Sequence, residues 1–190
     1  MTDALVVIGA SLGGTQALQT ILAALPLEFP FPIAIVLHRG VGVDTLLQRT
    51  LQHKSRLPIT EAEDKMAILP GVAYLAPANY HLLVERDHFS LSTEGPVRFA
   101  RPSIDLLFQS AAEAYAKRTI GILLTGASQD GAQGLAAIKR YGGLVVVQDP
   151  ATAASPVMPT AALQATPVDA ILPLEGIGPF LVQCGQQRDL

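Results

Sequence analysis

The chain has 190 residues, a formal net charge of −3, 49% hydrophobic residues and a single cysteine. That length supports one domain with a substantial core and leaves little room for a second. Its scattered Lys and Arg residues form no basic stripe for nucleic acid, and one cysteine excludes an internal disulfide. No segment reaches the roughly 18 uninterrupted apolar residues of a membrane span. No Lys or Arg precedes Arg39, so the apolar N-terminal stretch lacks the positive region of a secretory signal. The expected location is the cytoplasm, and the expected partner is a protein or a small molecule.

Short apolar runs alternate with helical patterns, which predicts an α/β fold: a single-domain, doubly wound, mostly parallel sheet flanked by helices. Ala4 to Ile8 reads as the first strand. The following helix carries Ala17, Leu18, Ile21, Leu22 and Leu25 before Pro26 stops it. Ile33 to Leu37 is a continuous apolar run, expected to be buried on both faces, with His38 just beyond it. A helix follows over Asp44 to Gln52.

Between Pro58 and Gly95 the pattern breaks into strand-like pieces at Gly71 to Leu75, Leu82 to Glu85 and His88 to Ser92. The last two are joined by Arg86 and Asp87 as a tight hairpin, and this part is expected to be a small antiparallel insertion or edge. The rhythm resumes with a helix over Ser103 to Lys117, Ser103 being a plausible cap. Strand Ile120 to Thr125, helix Gly131 to Tyr141, strand Leu144 to Gln148, helix Met158 to Gln164 and strand Ala170 to Leu172 complete it. Cys184 ends the apolar stretch Ile177 to Val182 with no His or Lys nearby, so a buried core thiol is expected.

Gly9-Ala10-Ser11-Leu12-Gly13 is a G-x-S-x-G sequence between a predicted strand and a predicted helix, the setting of a nucleophile elbow. Small residues let the turn form, Ser11 projects its hydroxyl, and the helix N-terminus offers free N–H groups to an oxyanion, Leu12 foremost. A plain helix cap at Ser11 is the competing structural reading. A dinucleotide site is the competing functional one. Against it, Gly9, Gly13 and Gly14 do not space as G-x-G-x-x-G, and the second strand ends in His38 rather than a ribose-binding carboxylate.

A serine nucleophile needs a base. Of the four histidines, His38 ends the second strand, so it emerges on the same sheet edge as Ser11. His81 is the runner-up, with a structural loop role as its ordinary reading, and His53 and His88 read as solvated surface. Asp130, after strand Ile120 to Thr125, is the carboxylate to orient the imidazole. Asp149 is the alternative, and capping of the Gly131 to Tyr141 helix is the structural reading of Asp130. No histidine pair or acidic cluster has metal-ligand spacing, so neither metal nor cofactor is expected.

With these residues placed, the chain resembles the catalytic domain of the CheB-type protein-glutamate methylesterases. The matching segments are Ile8 to Gly14, Val36-Leu37-His38, Ala76 to Leu82, Arg101 to Phe108, Leu124-Thr125-Gly126 with Asp130-Gly131-Ala132, and Met158 to Ala162. The resemblance implies a triad of Ser11, His38 and Asp130. It also implies hydrolysis of glutamate γ-methyl esters on the cytoplasmic helices of methyl-accepting chemoreceptors, with glutamine deamidation as a related activity. On this reading residues 1–190 are the catalytic domain, and any regulatory receiver domain lies outside this chain.

Three positions depart from the family pattern. Leu12 follows the serine where Thr is frequent, Ala127 and Ser128 replace Met and Gly, and Arg39 stands where Met is common. The second change removes a methionine from beside the oxyanion region, and the third puts a charge near the cleft. Leu12 and Ala127 are candidate oxyanion positions, and Arg39 and Arg101 are candidates for orienting an acidic receptor helix. A Rossmann-like nucleotide-binding module and a non-catalytic receptor-binding module are the alternative functions.

Overall fold

A computed structural model describes residues 4–38 and 44–187. Strands β1 (Leu5–Ala10), β2 (Ile33–Leu37), β3 (Ile59–Glu61), β4 (Ala73–Leu75), β7 (Thr119–Leu123), β8 (Leu144–Gln148) and β9 (Ala170–Leu172) form a seven-stranded sheet in the order β3-β4-β2-β1-β7-β8-β9. Every pairing in it is parallel. Strands β5 (His81–Val84) and β6 (Phe89–Ser92) pair antiparallel as a separate hairpin, turning at Arg86 and Asp87 as expected.

The central strands β1 and β2 carry no polar side chain because helices cover both faces. The period of two divides each strand between two cores. From β1, Val6, Ile8 and Ala10 join a cluster with Leu18 and Ile21 of α1 (Gly14–Ala24) and Ile177 and Leu181 of α6 (Leu174–Gln187). Leu5 and Val7 join the opposite cluster with Leu107 and Phe108 of α3 (Ile104–Tyr115), Leu135 of α4 (Ala132–Arg140) and Met158 of α5 (Val157–Ala165). Truncating a fully buried side chain such as Phe108 would cost about 3 to 5 kcal/mol. Helix α2 (Asp44–Gln52) lies beside β3 and α1. Among the described residues, no helix is long and apolar enough to cross a membrane.

One expectation is corrected. The segment Gly71 to Leu75 is no insertion: β4 lies within the parallel sheet, between β2 and β3, while β5 and β6 form the antiparallel hairpin. Strand β3 is three residues long, too short to show a period. Helix α6 adds an element that the sequence analysis did not name, because glycines and Pro179 disguise it. Gly178 is needed there, because a Cβ would stand 2.5 Å from the Cβ of Ala24 in α1. Cys184 on this helix is buried, and burial raises its thiol pKa, as expected of an inert core thiol.

The order of the sheet places β1 at its middle, with β2 on one side and β7 on the other. The chain builds the β2 side first and then returns past β1 to β7, so the carboxyl ends of these three strands flank a topological switch point, where α/β sheets open a crevice. Register brings the ends level: Ala10 pairs with Leu37, and Gly9 with Leu123. Ser11, His38 and Asp130 all follow these ends.

Candidate active site

The elbow after β1 is held by backbone bonds. Ser11 donates its N–H to the Thr125 carbonyl at 3.0 Å, and Gly14 donates to the Ser11 carbonyl at 2.8 Å. The residue that caps α1 is Gly13, in the left-handed region at φ 80, with no side-chain bond to the helix. Ser11 is thus not the helix cap, and its hydroxyl is not used in that way. A Cβ at Gly13 would lie 2.6 Å from that of Ala154, so the protein's own packing fills the turn where a dinucleotide site keeps room for a pyrophosphate.

His38 stands at the end of β2, its N–H bonded to the Ala10 carbonyl at 3.0 Å. Its ring and Ser11 share the wall of a cavity of about 320 Å³, with Gly14, Gln16, Leu37 and Leu47. His38 Nε2 lies 2.8 Å from Asp130 Oδ2, and Asp130 is fully buried. Ser103 Oγ and the N–H groups of Ile104 and Asp105 also donate to this carboxylate, at 3.0, 2.7 and 3.0 Å. Burial pushes the Asp130 carboxyl up, but the bond from His38 and the backbone N–H groups outweigh it and hold the carboxyl below its ordinary value. An ionised Asp130 only accepts, so the facing Nε2 is the donor.

Asp130 does cap a helix, but the wrong one for the sequence-based expectation: its carboxylate binds the start of α3, while Gly131 caps α4 without a side chain. Asp149 is elsewhere, capping the short helical turn after β8 through the Ala151 N–H. His81 is buried, with Nδ1 accepting the Ser103 N–H at 3.1 Å and Nε2 3.1 Å from the Gly95 carbonyl. That is the structural role, one step behind Asp130. His53 is exposed, and His88 is half-buried and bonded to Asp87.

Of the remaining candidates, Leu12 and Ala127 are both exposed, and neither backbone N–H has an acceptor among the described residues. Arg101 spends Nη1 on the carbonyls of Thr93 and Glu94. Arg39 lies outside the described residues. Separately from the departure at Ala127, Met158 of α5 stands beside the elbow. A Cβ at Gly126 would stand 2.5 Å from its methyl carbon and 2.9 Å from Ser11 Cβ.

Sequence reasoning missed the residues that clamp the elbow from β7 and β8. Thr125 Oγ1 donates to the Leu12 carbonyl at 2.8 Å and accepts the Ser155 N–H at 2.9 Å. Gln148 Oε1 accepts the Thr125 N–H, and Ser155 Oγ donates to the Gly126 carbonyl. Fully buried Gln148 is the one signal available, a polar residue ending an apolar strand.

A family model for CheB methylesterase matches residues 6–181. The chain belongs to the CheB methylesterase family. It is 50% identical over 184 residues to a Leptospira interrogans protein named for protein-glutamate methylesterase and protein-glutamine glutaminase, covering 96% of this chain and 95% of that protein. It is 42% identical over 182 residues to a Moorella thermoacetica protein of the same name, covering 93% of this chain but only 43% of the relative. The crystal structure of the Thermotoga maritima CheB methylesterase catalytic domain superposes with a TM-score of 0.94 at 34% identity, over 97% of this chain and all of that one. The parallel sheet with its small antiparallel hairpin is thus the CheB catalytic-domain fold.

Proposed function

We propose that the chain is a serine hydrolase that removes glutamate γ-methyl esters from the cytoplasmic helices of methyl-accepting chemoreceptors, and that residues 1–190 are its catalytic unit. Any receiver domain that regulates it lies outside this chain. The observation that carries the reading is the 2.8 Å contact of His38 with buried Asp130, on a histidine that shares its cavity with Ser11. The names of its relatives support the substrate class.

In this mechanism Ser11 Oγ adds to the ester carbonyl while His38 Nδ1 takes the hydroxyl proton. Asp130 holds the ring through Nε2 and stabilises the imidazolium. The N–H groups of Leu12 and Ala127 receive the oxyanion. Collapse breaks the bond to the methoxy oxygen, which leaves as methanol with the proton from His38. Water, deprotonated by His38, then cleaves the glutamyl–Ser11 ester and leaves a carboxylate on the substrate. A glutamine side chain passes through the same acyl-enzyme with ammonia as the leaving group, which accounts for deamidation on the same machinery.

The test is methanol release from methylated chemoreceptor fragments by the purified chain, with Ser11→Ala at equal concentration. Release abolished by the substitution supports the assignment. No release by the folded native chain would overturn it in favour of a binding module.

A further inference from the structure

Phe99 is the most exposed large hydrophobic residue among the described residues, at 105% relative exposure. It stands at the tip of a turn next to the catalytic histidine: His38, Arg98, Phe99, Ala100, Arg101 and Ser128 line a hollow of about 270 Å³. This hollow and the Ser11 cavity meet at His38. We infer that Phe99 is the apolar anchor on which a helical substrate docks beside His38, an inference that rests on the methylesterase reading above.

The backbone presents this ring at a cost. Val97 and Ala100 exchange both N–H to carbonyl bonds, at 3.0 and 2.8 Å, closing a hairpin turn whose central residues are Arg98 and Phe99. Both have left-handed φ, 48 and 65. That geometry favours Asn-Gly, and a bulky aromatic residue adopts it only under strain. Strain of this kind persists where surrounding structure enforces it, and it gathers at ligand clamps.

The enforcing contacts are visible. Arg98 Nε lies 3.4 Å from the carboxylate of buried Asp105, and Arg101 Nη1 donates to the Thr93 and Glu94 carbonyls at 3.0 and 3.1 Å. The two arginines pin the loop from either side of Phe99, so its ordering is complete before a partner arrives.

The substrate's chemistry calls for such an anchor. A glutamate methyl ester is uncharged, so the reacting group offers no ion pair, and recognition must come from its neighbours on the helix. Residues three or four positions from the ester share its face. An apolar side chain there meets Phe99 when the ester reaches Ser11. Leu12, 60% exposed and adjacent to the nucleophile, provides a second apolar contact.

The experiment compares the native chain, Phe99→Ala and Phe99→Trp on two substrates: a methylated helical chemoreceptor fragment and the small ester N-acetyl-glutamate γ-methyl ester. Phe99→Ala should raise KM for the fragment at least ~10-fold, the loss expected of an aromatic anchor, with kcat for both esters unchanged. Phe99→Trp should keep KM for the fragment near the native value. Equal losses on both esters, or no change on the fragment, would overturn the inference while the esterase assignment stands. Failure of the native chain to cleave either ester would overturn the methylesterase reading itself, and this inference with it.

Discussion

Asp130 and Asp105 cap each other's helices: Asp130 accepts the N–H groups of Ile104 and Asp105 at the start of α3, and Asp105 Oδ1 accepts those of Gly131 and Gly134 at the start of α4. Each carboxylate meets the positive end of the neighbouring helix dipole, which favours its charge. On the proposed mechanism, the ring of His38 is aimed by a group fastened to two helices at once.

Asp130→Asn should fail in a way its similar shape conceals. His38 Nε2, Ser103 Oγ and the two backbone N–H groups are all donors to this carboxylate. An amide nitrogen at either oxygen position faces donors. The variant should lose about 10⁴-fold in kcat, by analogy with the loss of the orienting carboxylate in serine proteases, and about 1 to 3 kcal/mol of stability. Steady-state kinetics and urea unfolding check both, and near-native kcat would remove Asp130 from the triad.

Asp105→Ala should leave the triad atoms in place while freeing the first turn of α4. The N–H groups of Gly131 and Gly134 lose their acceptor, at a cost of about 1 to 2 kcal/mol as for other lost caps. Asp105→Asn keeps an oxygen for both and should recover most of that loss. Matching stabilities for the two variants in urea titrations would refute the capping role.

The two carboxylates give stability opposite dependences on pH. Asp130 is lowered from 3.8, so its contribution is present in full above pH 3.8 and is lost as pH falls through the folded value. Asp105 is raised, first by burial and also by the charge of Asp130, against the bonds from Gly134 and Gly131. Its contribution is present in full below pH 3.8 and lost as pH rises through its folded value. Urea midpoints measured from pH 3 to 6 should therefore climb more steeply in Asp105→Asn than in the native chain, and less steeply in Asp130→Asn. Parallel curves for all three proteins would contradict both assignments.

Thr125→Val tests the clamp on the elbow. Valine keeps the shape but removes the acceptor of the buried Ser155 N–H and the donor to the Leu12 carbonyl. The expected cost is about 1 to 3 kcal/mol, with kcat reduced because the turn carrying Ser11 loosens. Thr125→Ser retains the hydroxyl and should restore both. A native kcat in Thr125→Val would show that the elbow holds itself.

Much of this molecule was legible in its sequence, because the relevant signals are local. Strand β2, helix α2 and strands β8 and β9 fall on the expected residues, since apolar runs and helical spacing are set by neighbours a few positions apart. Ser11, His38 and Asp130 were proposed from one topological fact, that side chains just past the carboxyl ends of adjacent parallel strands share an edge, and His38 does meet Asp130 and the Ser11 cavity there. The strand Ala73–Leu75 was expected but misplaced, because its pairing with β2 and β3 is a long-range contact, and the helix Leu174–Gln187 went unnamed, because close contact with Ala24 overrides local propensity.

The amino-acid sequence by itself determined the alternation of strands and helices, the small-residue elbow and the residue types that chemistry requires. Only the tertiary structure decided that Asp130 caps α3 rather than its own helix, that buried His81 bonds Ser103 behind Asp130, and that Met158 comes up beside Gly126 and Ser11. These are meetings of residues between 22 and 147 positions apart or on different helices. No period in a sequence encodes them, because each depends on how whole elements pack.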